Sequence, residues 1–488
     1  MRVPTLLLAP LLFAASLFAM PACAADRIRI VAPAGAISGV QGSGFVSFKG
    51  IPYAAPPVGP LRWQKPRPAA AWTGDLDAAD FGPSCLQPTP PAHIMPGSPA
   101  LTLSEDCLKL NIWTPVGATK APVMVWIHGG GNQNGSPADF FTDGQNFARD
   151  GVIVVSVNYR LGLLGFFAYP GLTEDGKSAA NFGLWDQVAA LKWVRANITA
   201  FGGDPDNVTV FGQSAGGEDI IALLTAPAAR GLFAHAIVES GGGGWGPAAD
   251  ITDLQKTVAM TFPGKSLADL RATPAADLVK QNGDLGDPVV DHDLLPQTPL
   301  AAFAAGQAAN VPLIIGTNSE EGSLLGNGTQ DPTKFWNRLS PADLATLRAA
   351  YGEAARDDTA FSRLLFRDGY FTGPARFIAR HDPNAYLYRF SYVLTPLQKR
   401  RDGAWHGSEV PYVFERWPID PSDPSDRAVQ AAIHNDWLAF ARTGRPGWPS
   451  FKASGQEMRF DTAPSLRAPG DTAALDLLEK RLSPFGQP

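Results

Sequence analysis

Apolar residues along this chain gather in short, nearly continuous runs separated by glycine turns and by longer amphipathic stretches. APVMVWI before Gly129–Gly131, VIVVSVN from Val152 to Asn158, and VTVF from Val208 to Phe211 are three such runs. Strands that read as unbroken apolar runs are expected where helices cover both faces of a mostly parallel sheet. Between the second and third, GLWDQVAALKWVRANI places Leu184, Val188, Leu191 and Val194 at helical spacing, so strand and helix alternate. Further strands are predicted over Ala236–Glu239 and Val311–Gly316, and Arg27–Val31 with Gly44–Phe48 reads as an opening hairpin. The pattern predicts an α/β fold, with a mostly parallel central sheet and helices on both faces. Around 250–299 and 331–382 it turns helical, polar and Ala-rich with proline punctuation, which predicts segments capping the sheet. No repeat or linker divides the chain, so residues 25–488 read as one domain.

Composition changes this picture mainly at the start of the chain. Arg2 precedes an apolar run from Leu6 to Met20, and Ala22-Cys23-Ala24 then offers a small-residue cleavage site. Residues 1–24 therefore read as a signal peptide, which predicts export to the periplasm or the extracellular space. That run is too short for a membrane span, and no later one approaches about 18 apolar residues. Export would leave two cysteines, Cys85 and Cys107. The net charge of −6 comes with no basic stripe, so nucleic acid is not an expected partner. No Cys/His cluster has zinc spacing, so neither metal nor cofactor is expected.

Candidate chemistry centres on VTVFGQSAGGEDI, residues 208–220. Gly212-Gln213-Ser214-Ala215-Gly216 is a G-x-S-x-G sequence between a strand and a run, Asp219–Ala226, that continues as helix. In such a tight turn the serine is held in a strained conformation at a helix N-terminus, where the dipole and the free Ala215 amide favour negative charge. A serine nucleophile needs a base and an acid to orient it, in the order serine, acid, histidine. The histidines after Ser214 are His235, His292, His381, His406 and His434. His235 lies in an apolar run and His434 on an amphipathic helix, so both read as structural. His406, in the glycine-flanked loop GAWHGSEVPYVF, is the expected base. Glu320 and Glu321 follow the strand ending at Gly316, where α/β sheets place their sites, and spacing does not choose between them. Gly129–Gly131 leave backbone N–H groups uncovered for an oxyanion.

Taken together these segments resemble the type-B carboxylesterases, the family of cholinesterases, para-nitrobenzyl esterases and catalytically dead neuroligin-type adhesion proteins. FKGIPYAAPPVGPLRW, SEDCLKLNIWTP, NYRLGLLGFF, AFGGDPDNVTVFGQSAGG and GTNSEEGS follow in family order. The resemblance implies an α/β-hydrolase fold and serine esterase activity on a small-molecule ester. Carried over residue by residue, it implies Ser214 as nucleophile, Glu321 as acid, His406 as base, and Gly130, Gly131 and Ala215 as oxyanion donors. It also implies a Cys85–Cys107 disulfide and a gorge under the capping segments, with Trp405, Phe371 and Phe166 as expected lining. Adhesion-type binding or amide hydrolysis on the same fold are the alternatives. Two positions depart from the pattern. Asn132 replaces the usual aromatic residue after the glycines, which predicts a more polar or open gorge wall. Gln213 replaces the frequent glutamate before the serine, which predicts no preference for cationic esters.

Overall fold

A computed structural model describes residues 26–88, 102–243, 250–283, 286–326, 339–417 and 423–483. The signal-peptide reading of residues 1–24 and the start of the second capping segment, 331–338, lie outside them.

Among the described residues thirteen strands form one sheet: β1 (Arg27–Ala32), β2 (Gly35–Gln41), β3 (Phe45–Pro52), β4 (Asp75–Asp77), β5 (Lys109–Pro115), β6 (Ala121–Ile127), β7 (Ile153–Val157), β8 (Gly203–Gln213), β9 (His235–Glu239), β10 (Leu313–Asn318), β11 (Ala385–Phe390), β12 (Glu457–Phe460) and β13 (Ser465–Arg467). Their order is β1-β2-β3-β5-β7-β6-β8-β9-β10-β11-β12-β13, with β4 beside β2. From β7 to β12 every neighbouring pair is parallel. The strands from β1 to β5 along the order, and β13 at the far edge, pair antiparallel. The expected opening hairpin is corrected here: β1 and β3 do not pair, because β2 lies between them. Its sequence, GAISGVQ, carries two glycines and little apolar weight, so it reads as a turn.

The central strands are apolar throughout because both faces are covered. On β6, Val123, Val125 and Ile127 join one core, together with α1 (Phe182–Asn197) and α2 (Ala215–Thr225). Met124 and Trp126, pointing the other way, join a second core with Trp437 of α4 (Pro424–Thr443). Burying one such side chain contributes about 1.5–3 kcal/mol, so β6 is held from both sides. Leu184, Val188, Leu191 and Val194 of α1 are all buried, as the helical spacing requires. α1 is also pinned at the end of β7, where Arg160 grips Asp186 through Nε and Nη2, each 2.7 Å from a carboxylate oxygen. In the capping segments, helices Ile251–Thr261, Leu267–Ala272 and Ala275–Val279 precede β10, while Pro341–Tyr351, Asp358–Phe366 and α3 (Gly373–His381) follow it.

Candidate active site

β8 ends at Gln213 and α2 begins at Ala215, so Ser214 makes the turn by itself. Its φ of 58° and ψ of −128° form a strained conformation that the surrounding packing enforces. Ser214 N–H donates to Glu239 O at 2.9 Å, and Ser214 O accepts from Glu218 N–H at 3.0 Å. Such tight closure needs glycine two residues on: a Cβ at Gly216 would sit 2.1 Å from Ile127 O. α2 therefore starts four residues earlier than the sequence pattern suggested, and its N-terminus lies directly beneath the serine.

The two adjacent glutamates part company beyond β10. Glu320 turns toward Arg363, 3.6 Å away. Glu321 is fully buried and accepts from Asn318 N–H at 2.7 Å through one oxygen, while its other oxygen lies 2.6 Å from His406 Nδ1. The loop carrying His406 is stitched to the same strand end. Glu320 N–H donates to Ala404 O, Asn318 Nδ2 to Trp405 O, and His406 N–H to the Ser323 hydroxyl. Burial is the strongest single influence on His406 and acts to lower its pKa, but the charge and hydrogen bond of Glu321, with Glu409 and Glu218 beyond, outweigh it and raise it. With Nδ1–H committed to Glu321, the Nε2 lone pair faces Gln213, whose side-chain nitrogen is 3.1 Å away.

Ser214, His406, Gly130, Gly131 and Ala215 all line one cavity of about 1190 Å³. Gly130 holds φ +115°, and a Cβ there would collide with Asn134 O, so only glycine presents its amide in this way. Trp405 and Phe371 line the cavity as expected, the Phe371 ring centre lying 5.2 Å from that of His406. Phe166 does not; it is 1% exposed and packed into the first core, a correction to its expected place. Among the lining residues not singled out from the sequence are Glu218, Asp287 and Tyr370. Burial and the charge of Asp287 push Glu218 up to about 7, while Gly243 N–H and the Tyr370 hydroxyl donate to it. Glu218 was legible as one helical turn past Ser214, but Asp287 comes from a distant capping segment.

Asn132 requires the larger correction. It is completely buried, its φ is +53°, and its side chain points away from the cavity. Its amide nitrogen donates to Asp219 at 3.1 Å and its oxygen accepts from the Tyr159 hydroxyl at 3.0 Å; Gln187 holds the other Asp219 oxygen. Burial drives the Asp219 pKa up to about 8. Asparagine stands here because it tolerates the left-handed backbone and can join this interior network.

His235 and His434 sit away from the cavity, His434 between Val413 O and Asp150. Asp150, Glu415 and His434 bring their potential ligand atoms within 4.8 Å of one another, a grouping that cysteine and histidine spacing did not suggest. Cys85 and Cys107 are joined in a disulfide.

A model of the carboxylesterase family matches residues 26–472. Among similar proteins, the fumonisin B1 esterase of Sphingopyxis macrogoltabida is 35% identical, over 87% of this chain and 85% of that relative. The para-nitrobenzyl esterase of Bacillus subtilis is 36% identical, over 87% and 92%. A solved thermophilic para-nitrobenzyl esterase superposes with a TM-score of 0.82 at 32% identity, covering 92% of this chain and 99% of that one.

Proposed function

The chain belongs to the type-B carboxylesterase family, with its α/β-hydrolase fold, and is a carboxylic ester hydrolase; from that premise we propose that it is an exported serine esterase that cleaves neutral esters through an acyl-enzyme. Ser214 is the nucleophile, His406 the base, Glu321 the residue that orients it, and the N–H groups of Gly130, Gly131 and Ala215 receive the oxyanion. The observation that carries this reading is the 2.6 Å Glu321–His406 hydrogen bond set beside the strained serine on the wall of one cavity.

In the first half-reaction His406 Nε2 takes the hydroxyl proton as Ser214 Oγ attacks the ester carbon, and the carbonyl oxygen gains negative charge within reach of the three amides. Collapse of the tetrahedral species expels the alcohol, which leaves with the proton from His406. Water, deprotonated by the same imidazole, then attacks the acyl-serine and releases the acid. Glu321 holds the Nδ1 proton through its hydrogen bond and so fixes the tautomer that leaves Nε2 free to accept.

Export is supported by the disulfide, which persists in oxidising compartments. No helix among the described residues is long and apolar enough to cross a membrane. The test is turnover of a chromogenic short-chain ester, with a pre-steady-state burst of alcohol when deacylation is the slower step, and labelling of Ser214 by a fluorophosphonate. Loss of ester turnover with anilide cleavage retained would move the assignment to an amidase, and no turnover of either would favour binding without catalysis.

A further inference from the structure

We infer that Gln213 is a positioning residue that holds the catalytic imidazole in its unprotonated form between turnovers, by occupying the nitrogen that must accept the serine proton. The inference rests on the assignment of His406 as base.

Glu321 fixes the proton on Nδ1, so Nε2 presents only a lone pair, and only a donor, N–H or O–H, can satisfy it. The Gln213 side-chain amide lies 3.1 Å away and supplies one. The amide is flanked by two backbone segments on the cavity wall. A methyl built on Gly129 would come within 3.2 Å of its oxygen, and one on Gly407 within 3.5 Å of its nitrogen, so the strand end on one side and the histidine loop on the other enclose it. Ser214 makes no side-chain hydrogen bond among the described residues, which leaves Gln213 as the group engaging the base.

Two consequences separate this role from passive packing. A donor on Nε2 stabilises the neutral ring and opposes protonation, whereas a carboxylate at the same place would accept from the imidazolium and favour it. The other groups bearing on the ring are Glu321, Glu409 and Glu218, all of which favour the charged form. Gln213 is thus a neutral donor among three acidic neighbours, keeping the base available at lower pH than they would allow. The proton taken from Ser214 must then displace or share the amide, so the contact weakens as the reaction begins.

The test is the pH dependence of kcat/KM for a neutral short-chain ester in wild type, Gln213→Leu and Gln213→Glu, with folding of each checked by circular dichroism and thermal unfolding. The acidic limb is expected to move upward by about half to one pH unit in Gln213→Leu, and further in the nearly isosteric Gln213→Glu. An unmoved limb in both variants, with only a uniform drop in rate, would overturn the inference and leave Gln213 as packing. Ser214→Ala, run beside them, keeps the two claims apart: if it retains turnover the esterase assignment itself fails, whereas its inactivity with unmoved limbs refutes only the role of Gln213.

Discussion

Two polar networks flank the turn at Ser214, built from similar residues yet serving opposite ends. On the cavity side, Gln213, His406 and Glu321 form a chain of hydrogen bonds that reaches the space where substrate would sit. On the interior side, Asn132, Asp219, Gln187 and Tyr159 form another that does not line that cavity. Gln213 and Asn132 are both amides beside a glycine motif, and both depart from the family pattern. What separates them is backbone direction. Gln213 ends a strand that delivers its side chain toward the histidine loop, whereas the left-handed turn at Asn132 folds its side chain beneath α2. Proximity to a motif does not say which side of the sheet end a residue serves.

The strongest way to test the contrast is to remove the shared centre. Ser214→Ala is expected to lower turnover on the order of 10⁶-fold, because nucleophile and base act as a unit, with thermal unfolding little changed, since alanine keeps the Cβ that strains the turn at φ 58°. Glu321→Gln is expected to cost roughly 10⁴-fold in kcat, through loss of the correct imidazole tautomer, whereas Glu320→Gln, whose partner is Arg363, should lie within a few-fold of wild type. Steady-state kinetics on one ester settles both, and reversed ranks would reassign the acid.

On the interior side the expected readout changes from rate to stability. Asn132→Ala strips hydrogen bonds from Asp219 and Tyr159 and leaves alanine at positive φ, a cost of about 2–4 kcal/mol, measurable by denaturant unfolding. Its kcat/KM should fall less than tenfold; a catalytic defect larger than the stability defect would return Asn132 to the cavity wall. The smallest effect concerns pH. Folded Asp219 holds its proton up to about 8, whereas the unfolded chain releases it near 4. The folded state therefore binds more protons across that window, and stability declines as pH rises through it. Asp219→Asn is expected to make the decline in unfolding midpoint between pH 5 and pH 8 shallower, and an identical slope would show that other buried acids dominate.

What the sequence made legible follows the same division. Buried parallel strands announce themselves as apolar runs, so β6, β7, β9 and β10 were found within about two residues of their ends, whereas the polar first half of β8, from Gly203, was not read as strand. The turn at Ser214 was legible because its glycine spacing is a steric requirement. Helix α2 read as starting late because Gly216 and Gly217 are poor helix formers, yet close packing against the sheet outweighs that propensity. The inward course of Asn132 and the arrival of Asp287 in the cavity were not legible, since each depends on where distant segments come to rest. The choice of Glu321 over Glu320 came from family likeness, not from spacing, and its physical basis is the single-residue rotation that aims one carboxylate at His406 and the other at Arg363.

The hydrogen bonds that join the site also span the chain: 85 residues separate Glu321 from His406, and 193 separate Gln213 from His406. Contacts of such long sequence separation form only after the intervening chain has paid its loop-closure entropy. During refolding from denaturant, helix content and burial of the central tryptophans should therefore return before ester turnover does. Enzymatic activity becomes the last clock to start, and it reports completion of the whole sheet from β6 to the loop beyond β11.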